Sequence, residues 1–371
     1  MTFCIITHVT HSHSDGKYYG YAPYINEMNV WLKHVDKVII VAPLKDFLIS
    51  EMHKNYTHNN IQFIAVPAFS LTSFKEILKT ITVLPIIFFK VFWAMLSSNH
   101  IHLRCPGNMG LIASIIQIFF PNKNKTAKYA GNWDEIPNQP LSYKIQKQIL
   151  RNTFLTHNMQ VLVYGEWKNQ TRNIKSFFTA TYRENEKTDI VAKKLSGKIN
   201  FLFVGTLSKG KQPLYAIQIV QVLKEKGFNV QLSIYGSGVE YDNLNKYISE
   251  NLLENFIYLK GISDRETMKT IYQESHFLIL PSRSEGWPKV IAEAMFWGCL
   301  PIATNVSCVS NMLGFGNRGI ILTENLETDS AQIINIIDNV CVYNHKINQA
   351  ESWSRNYTLD KFETEIKQFL Q

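Results

Sequence analysis

Residues 277–298 read FLILPSRSEGWPKVIAEAMFWG. Phe277 to Leu280 is a short, wholly apolar run, the mark of a strand buried on both faces. Pro281 to Trp287 is its polar, glycine-bearing exit. Pro288 suits the first position of a helix, where a missing N–H costs nothing. The next residues have helical spacing and put Glu293 about a turn and a half into that helix. Strand, carboxyl-end loop and helix make the repeating unit of a parallel α/β sheet, and ligands of such sheets lie against those loops. Glu285 and Glu293, eight residues apart, are therefore placed to reach one elongated ligand. Two solvated glutamates on a surface helix are the plain alternative.

The same alternation extends in both directions. After it comes the strand Leu300–Ala303. Before it come strands at Ile199–Val204, Val230–Tyr235 and Phe256–Leu259, with helices at Pro213–Glu225, Asp242–Asn251 and Arg265–Glu274. Further back, Thr2–Thr7, Lys37–Ala42, Ile61–Val66, His100–Leu103 and Thr126–Ala130 read as strands, with Val161–Tyr164 as the last of that half. Met109–Phe120 and Leu141–Phe154 have helical patterns. The polar stretch Thr188–Lys198 reads as a linker. The fold class is α/β, with two doubly wound domains at 1–190 and 196–352 facing a cleft. A terminal segment, 353–371, belongs to a helix over Glu351–Leu370 with Thr358 as a credible N-cap. There is no 20–50-residue repeat and no low-complexity tract.

A chain of 371 residues, 46% hydrophobic and 18% charged, exceeds one core and suits two. Its five cysteines are scattered without a CxxC pair, which argues for a reducing compartment and against a metal cage. MTFCIITHV has no basic leader and no cleavage site, so a cytoplasmic location is expected. Ile81–Leu96 is the most apolar stretch. It is shorter than a bilayer span, and Pro85 and Lys90 interrupt it. Two readings stand for it: a buried helix, or an amphipathic helix facing a membrane. Residues 1–195 carry 22 Lys and Arg against 12 Asp and Glu, and the rest 16 against 18. A basic first half suits an anionic membrane surface or acidic acceptor, with a solvated basic face as the alternative. No nucleic-acid recognition motif is present.

Several loops carry candidate chemistry. Gly286 permits close backbone approach, and the amides of Lys289 and Val290 at the helix start suit phosphate. A helix carboxylate such as Glu293 can take two ribose hydroxyls, and the loop carboxylate Glu285 a sugar hydroxyl or developing positive charge. In VGTLSKGKQP, Gly205 ends a strand and Lys209 and Lys211 follow, a basic loop able to hold pyrophosphate although no P-loop motif is present. Gly236-x-Gly238 resembles half of a dinucleotide fingerprint and reads first as a tight turn. His8, His11, His13 and Asp15 could hold zinc. A polar acceptor-binding loop or an ordinary loop, leading into Lys17 and Tyr19, fits them better. No D-x-D stands anywhere in the chain. In GNWDE, Asp134 or Glu135 could act as a general base and Trp133 could stack on a sugar, or the segment is a loop anchored by a buried Trp. Arg104 and Glu166, at other strand exits, are further acceptor candidates.

Together these residues resemble the retaining family-4 glycosyltransferases of the GT-B fold. The Glu285–Glu293 pair has that family's E-x7-E spacing, and LPSRSEGWPKVIAEAMFWGCLPIATNV, VGTLSKGKQP and GISDRETMKTIY fit around it. The likeness covers Asn200 to Leu322 well and the first half only in outline. WSRNYTLDKF resembles the family's closing helix, which crosses back to the first domain. SEGWPK and MFWGC look like the bacterial surface-polysaccharide branch, lipopolysaccharide or capsule.

The resemblance implies a hexosyltransferase using a UDP- or GDP-linked sugar as substrate, with no metal and no cofactor. It implies that Glu293 binds the donor ribose, that Glu285 and the Gly286–Trp287 backbone hold the transferred sugar, and that Lys211 neutralises the diphosphate. Gly261, Ile262 and Ser263 would meet the base. Thr206 stands where the family usually has Arg, leaving Lys209 and Lys211 to carry the phosphate charge. The implied acceptor is a polysaccharide or lipid-linked glycan, met on the inner face of the cytoplasmic membrane. A GT-B-like nucleotide-sugar epimerase and a non-catalytic nucleotide-sugar-binding protein are the alternatives.

Overall fold

The computed structural model describes residues 1–69, 74–135, 139–191 and 193–371, with the backbone alone for 74–81. Ala192 of the expected linker, and the side chain of Ile81, lie outside the described residues. The chain divides into two units. The first is Met1–Phe178 with Phe362–Gln371, and the second is Thr179–Lys361. These bounds differ from the 1–190, 196–352 and 353–371 that the sequence suggests.

In the first unit β1 is Thr2–Ile6, β2 Ser12–Ser14, β3 Lys17–Tyr21, α1 Ala22–Leu32, β4 Lys37–Pro43, β5 His53–Asn55 and β6 Ile61–Val66. Then follow α2 Phe74–Leu96, β7 His100–Cys105, α3 Asn108–Ile116, β8 Asn124–Tyr129, α4 Leu141–Arg151, β9 Met159–Tyr164 and β10 Ile174–Phe177. Seven strands form a parallel sheet in the order β10-β9-β8-β7-β1-β4-β6. β1 is central, and its Phe3 to Ile6 are wholly buried. β10 extends the sheet beyond Val161–Tyr164, so that strand is not the last of this half. The His11–Tyr19 segment is not a flexible loop: β2, β3 and β5 pair as a small antiparallel sheet.

The second unit contains β11 Ile199–Val204, α5 Pro213–Glu225, β12 Val230–Tyr235, α6 Tyr241–Glu250, β13 Ile257–Gly261, α7 Arg265–Glu274 and β14 Phe277–Leu280. It continues with α8 Lys289–Phe296, β15 Leu300–Thr304, α9 Val309–Met312, β16 Ile320–Leu322, α10 Leu326–Ile337 and α11 Val340–Ser354. Its six strands are parallel in the order β13-β12-β11-β14-β15-β16. The order reverses between β11 and β14, the switch point where open α/β sheets take ligands. The core lies between sheet and helices, with Phe201 stacked on Phe277 at 5.0 Å.

The terminal helix is broken. α11 stops at Ser354, and α12 runs Leu359–Leu370 with Thr358 accepting from the Lys361 amide. Within the first unit, Phe362 of α12 lies over Lys128, whose buried ammonium is 5.0 Å from that ring and 3.0 Å from Glu27. A fully buried lysine needs such compensation, because desolvation disfavours its charge.

A carboxylate and lysine site in the second unit

Three strand exits of the second unit are laced together. Gly205 N donates to Tyr235 O at 3.0 Å, Leu207 N to Ser237 O at 2.9 Å, and Glu240 N to Leu207 O at 3.0 Å. A methyl group on Gly236 would stand 1.9 Å from Gly205 O, and one on Gly238 2.3 Å from Leu207 O. Both glycines have positive φ, 147° and 155°. The Gly-x-Gly pair is therefore required by two backbones in contact. Arg283 N donates to Gly210 O at 2.9 Å, and Gln212 Nε2 to Pro281 O at 2.7 Å, which ties the β14 exit to the β11 exit.

This lacing brings Lys211 to Glu285. Their Nζ and Oε1 atoms are 2.5 Å apart, and Glu285 is buried. The backbone beside it is held from the other side: Cys308 Sγ donates to Gly286 O at 3.0 Å. Burial first, and the Glu285 charge among lesser influences, pushes the Cys308 thiol up to about 12, so it remains a donor. The Trp287 ring stacks on Trp353 at 6.0 Å and meets Tyr357 edge-on at 5.5 Å. That indole anchors the loop.

Glu293 is half-buried on α8. Thr181 Oγ1 donates to one of its oxygens at 2.6 Å and Tyr272 Oη to the other at 3.0 Å. Tyr272 is fully buried on α7. Burial, and then the Glu293 charge, raises its phenol well above the ordinary tyrosine value, so it stays a proton donor. Thr179, Thr181, Tyr182, Lys289, Glu293 and Tyr357 line a narrow crevice. Pro288 is the N-cap of α8 rather than its first residue, and Lys289 and Val290 open the helix. Their amides carry the positive end of its dipole. Thr206 and Lys209 are exposed on the β11 exit. At the β13 exit Gly261 has φ 73° and Ile262 is exposed. Ser263 precedes Asp264, which caps α7 through the amides of Glu266 and Thr267. Two carboxylates, nearby lysines and a helix start suit a ligand with both hydroxyls and phosphate.

The sequence does not signal Thr181 and Tyr272. Their roles come from packing, and the only local cue is Tyr272 on the apolar face of a predicted helix.

The acceptor candidates of the first unit fare differently. His11 is buried, 2.9 Å from Tyr56 Oη and beside Phe63, so it is a core residue and not a ligand contact. Trp133 is buried, with its indole N–H on Gln170 at 3.1 Å, and offers no open face to a sugar. Arg104 belongs to β7 and is committed to Glu27 at 3.3 Å and to the Tyr24 ring. His13, Lys17 and Tyr19 stand on the β2–β3 hairpin. Asp134 is half-buried, its carbonyl taking the Lys147 ammonium at 2.9 Å, and Glu166 is exposed after β9. None of these lines the cavity of about 370 Å³ bounded by His8, Thr10, Phe69, Gly107, Asn108 and Tyr143. Position at the exits of β1 and β7 is the signal that pointed there. Among the described residues no group of three metal-ligating side chains occurs.

Residues 184–353, just under half the chain, match the family glycosyl transferases group 1. An uncharacterised 41.2 kDa protein in the cps region of Klebsiella pneumoniae is 27% identical over 165 residues, 44% of this chain and 42% of that one. The poly(glycerol-phosphate) alpha-glucosyltransferase of Bacillus subtilis is 23% identical over 185 residues, 49% of this chain and 27% of that one. The chain thus spans less than half the length of these two curated relatives. The crystal structure of Anabaena HepE in complex with UDP matches 100% of this chain and 98% of its own, at TM-score 0.70 and 14% identity. Likeness at that identity is likeness of fold. Residues 184–353 thus resemble the group 1 glycosyltransferases, on a chain whose fold is of the GT-B type.

Proposed function

We propose that the chain is a retaining, metal-independent glycosyltransferase. It moves a hexose from a UDP- or GDP-linked donor to a polysaccharide or lipid-linked glycan acceptor in the bacterial cytoplasm. The observation that carries this reading is the Lys211–Glu285 pair at a β-strand exit, with Glu293 held on the following helix by Thr181 and Tyr272. Each Glu293 oxygen accepts one bond and keeps acceptor capacity for a ribose hydroxyl. Lys211, Lys209 and the α8 amides face the diphosphate, Gly261 to Ser263 the base, and Glu285 with the Gly286–Trp287 backbone the sugar.

The bond from the anomeric carbon to the diphosphate oxygen breaks as an acceptor hydroxyl attacks the same face. The departing phosphate oxygen takes that hydroxyl's proton, so atoms and charge balance without a metal. Lysine and helix amides stabilise the leaving charge. The cavity around His8 and Tyr143 in the first unit suits part of a glycan, with polar and apolar walls. The cps-region setting of the Klebsiella relative and the UDP in HepE, facts about those proteins, support a nucleotide sugar and a surface glycan.

Product analysis tests this. The chain is incubated with UDP- and GDP-sugars, chelator and glycan acceptors. A larger glycan with the donor's anomeric configuration supports the proposal. An isomerised sugar nucleotide would make the chain an epimerase, and nucleotide binding without turnover a binding protein.

A further inference from the structure

The exit of β15 grips the loop that carries Glu285. Thr304, buried at the end of that strand, donates its hydroxyl to Ser282 O. Further along, Cys308 donates its thiol to Gly286 O at 3.0 Å, and Ser307 Oγ stands 3.5 Å from the same oxygen. The two held carbonyls lie on either side of Glu285 in the sequence. The gripping turn is closed on itself. Ser310 donates to Asn305 Oδ1, Val309 N to Val306 O at 3.0 Å and Met312 N to Cys308 O at 3.0 Å. Within it Ser307 has φ 50°, in the left-handed region that a β-carbon disfavours. Strain of that kind persists where the surroundings fix it, and it collects at functional sites.

What the thiol fixes is the plane of a glycine peptide. Gly286 has no side chain, and glycine has the widest backbone freedom of any residue. The Gly286–Trp287 peptide is trans, so its N–H points opposite to its carbonyl. A carbonyl drawn to the β15 exit turns that N–H away from β15. In the order β11-β14-β15 the other side of β14 belongs to β11, whose exit brings Lys211 to Glu285. A swivel of this peptide would move both its N–H and the neighbouring carboxylate. Cys308 is buried and has one proton to give. Its other acceptor, Met312 Sδ at 3.9 Å, is farther and weaker than the carbonyl.

We propose that Cys308 is a positioning residue for the transferred sugar: its thiol sets the plane of the Gly286–Trp287 peptide, and with it the reach of Glu285, while touching neither donor nor acceptor. This role rests on the donor-site reading above and adds that the sugar, rather than the nucleotide, depends on the thiol. Glu293 is held by Thr181 and Tyr272, so the ribose contact does not pass through Cys308.

The test compares the intact chain as wild type, Cys308→Ala and Cys308→Ser. Calorimetry with UDP and GDP reads nucleotide binding, and kinetics over a panel of UDP- and GDP-sugars reads transfer. In Cys308→Ala the nucleotide should bind within about twofold of wild type, while kcat/KM for the sugar nucleotide falls about threefold to tenfold, the range of one lost hydrogen bond. Cys308→Ser keeps a donor on the same Cβ and should recover most of that loss. A thiol that only fills space predicts the opposite order, because a methyl replaces a small apolar group better than a hydroxyl does. Equal kcat/KM for Cys308→Ala and wild type, a matching loss of nucleotide binding, or serine worse than alanine would overturn the role. Where wild type binds without turnover, the Kd of the sugar nucleotide is read in place of kcat/KM. A wild type that binds no nucleotide would remove the donor site itself and this role with it, so the two failures are told apart. Melting temperatures show which variants are folded, and Cys308→Val, apolar and without a donor, replaces an unfolded Cys308→Ala.

Discussion

Lys211 Nζ lies 2.5 Å from Glu285 Oε1, across 74 residues of sequence and at the meeting of two strand exits. The proposed roles set these partners in competition. Lys211 is to face the donor diphosphate, yet the carboxylate already holds it. Donor binding must exchange one anion for another on the same ammonium. We predict that Glu285→Gln binds UDP about threefold to tenfold more tightly than wild type while transfer is largely lost. That gain is roughly 1 kcal/mol, the scale of one charge-assisted contact no longer contested. Lys211→Ala should weaken UDP binding instead. Titration calorimetry reads both, and weaker binding by Glu285→Gln would contradict the exchange.

Tyr272 and Thr181 hold Glu293 from two elements that the sequence does not connect. Tyr272→Phe removes a hydroxyl and keeps the ring that fills the core. The donor KM should rise about fivefold to tenfold, near 1 kcal/mol for one lost bond to a carboxylate, with kcat little changed. Steady-state kinetics with the donor varied would decide it. A fall in kcat at constant KM would sink the positioning role.

Gly236 and Gly238 admit no side chain. Ala at Gly236 would set a Cβ 1.9 Å from the Gly205 carbonyl oxygen. Gly236→Ala should cost on the order of 2–4 kcal/mol by chemical denaturation, because overpacking and a positive φ act together. Gly227 also has positive φ but has nothing within 4 Å of its Cβ position, and Gly227→Ala should cost about 1 kcal/mol. Equal losses at the two positions would refute the close-approach argument.

Much of the second unit was legible, for a physical reason. Ile199–Val204, Pro213–Glu225, Arg265–Glu274 and Phe277–Leu280 form where their apolar period says, because each is buried along its length or on one face. The β2–β3 hairpin was not, because HSHSDGKYYGY has no apolar alternation and its order comes from pairing with distant His53–Asn55. The break between α11 and α12 carries neither proline nor glycine, and only Thr358 marks it. Glu285 and Glu293 could be read as a pair from their spacing. Their partners Lys211, Thr181 and Tyr272 could not, since long-range packing supplies them. His11 and Trp133 misled because polar and aromatic residues near strand ends look like ligand contacts until burial is known.

Histidines make the first unit acid-sensitive. Burial lowers His11 and His100 from 6.5 to about 4, and holds fully buried His102 well below its usual value. A base whose pKa is depressed by folding is neutral in the native chain. Between pH 6.5 and about 4 the unfolded chain binds protons that the folded one refuses, so stability falls as pH drops through that window. Above 6.5 these groups contribute nothing to the pH dependence. For His11 and for His100 the shift corresponds to on the order of 3 kcal/mol at the foot of the window. Melting temperature should fall across it, and less steeply in His100→Gln. A flat profile would show that the imidazoles are solvated.

The central claim is that the second unit binds a nucleotide sugar at the Glu285–Glu293 site. Thermal stabilisation by a panel of UDP- and GDP-sugars, in chelator, with Glu293→Ala beside wild type, tests it most directly. A donor at about 100 times its Kd adds about 2.7 kcal/mol to the folded state. The account predicts selective stabilisation of wild type by one sugar nucleotide and its loss in Glu293→Ala. Equal stabilisation of both proteins, or of neither by any nucleotide in the panel, would contradict it.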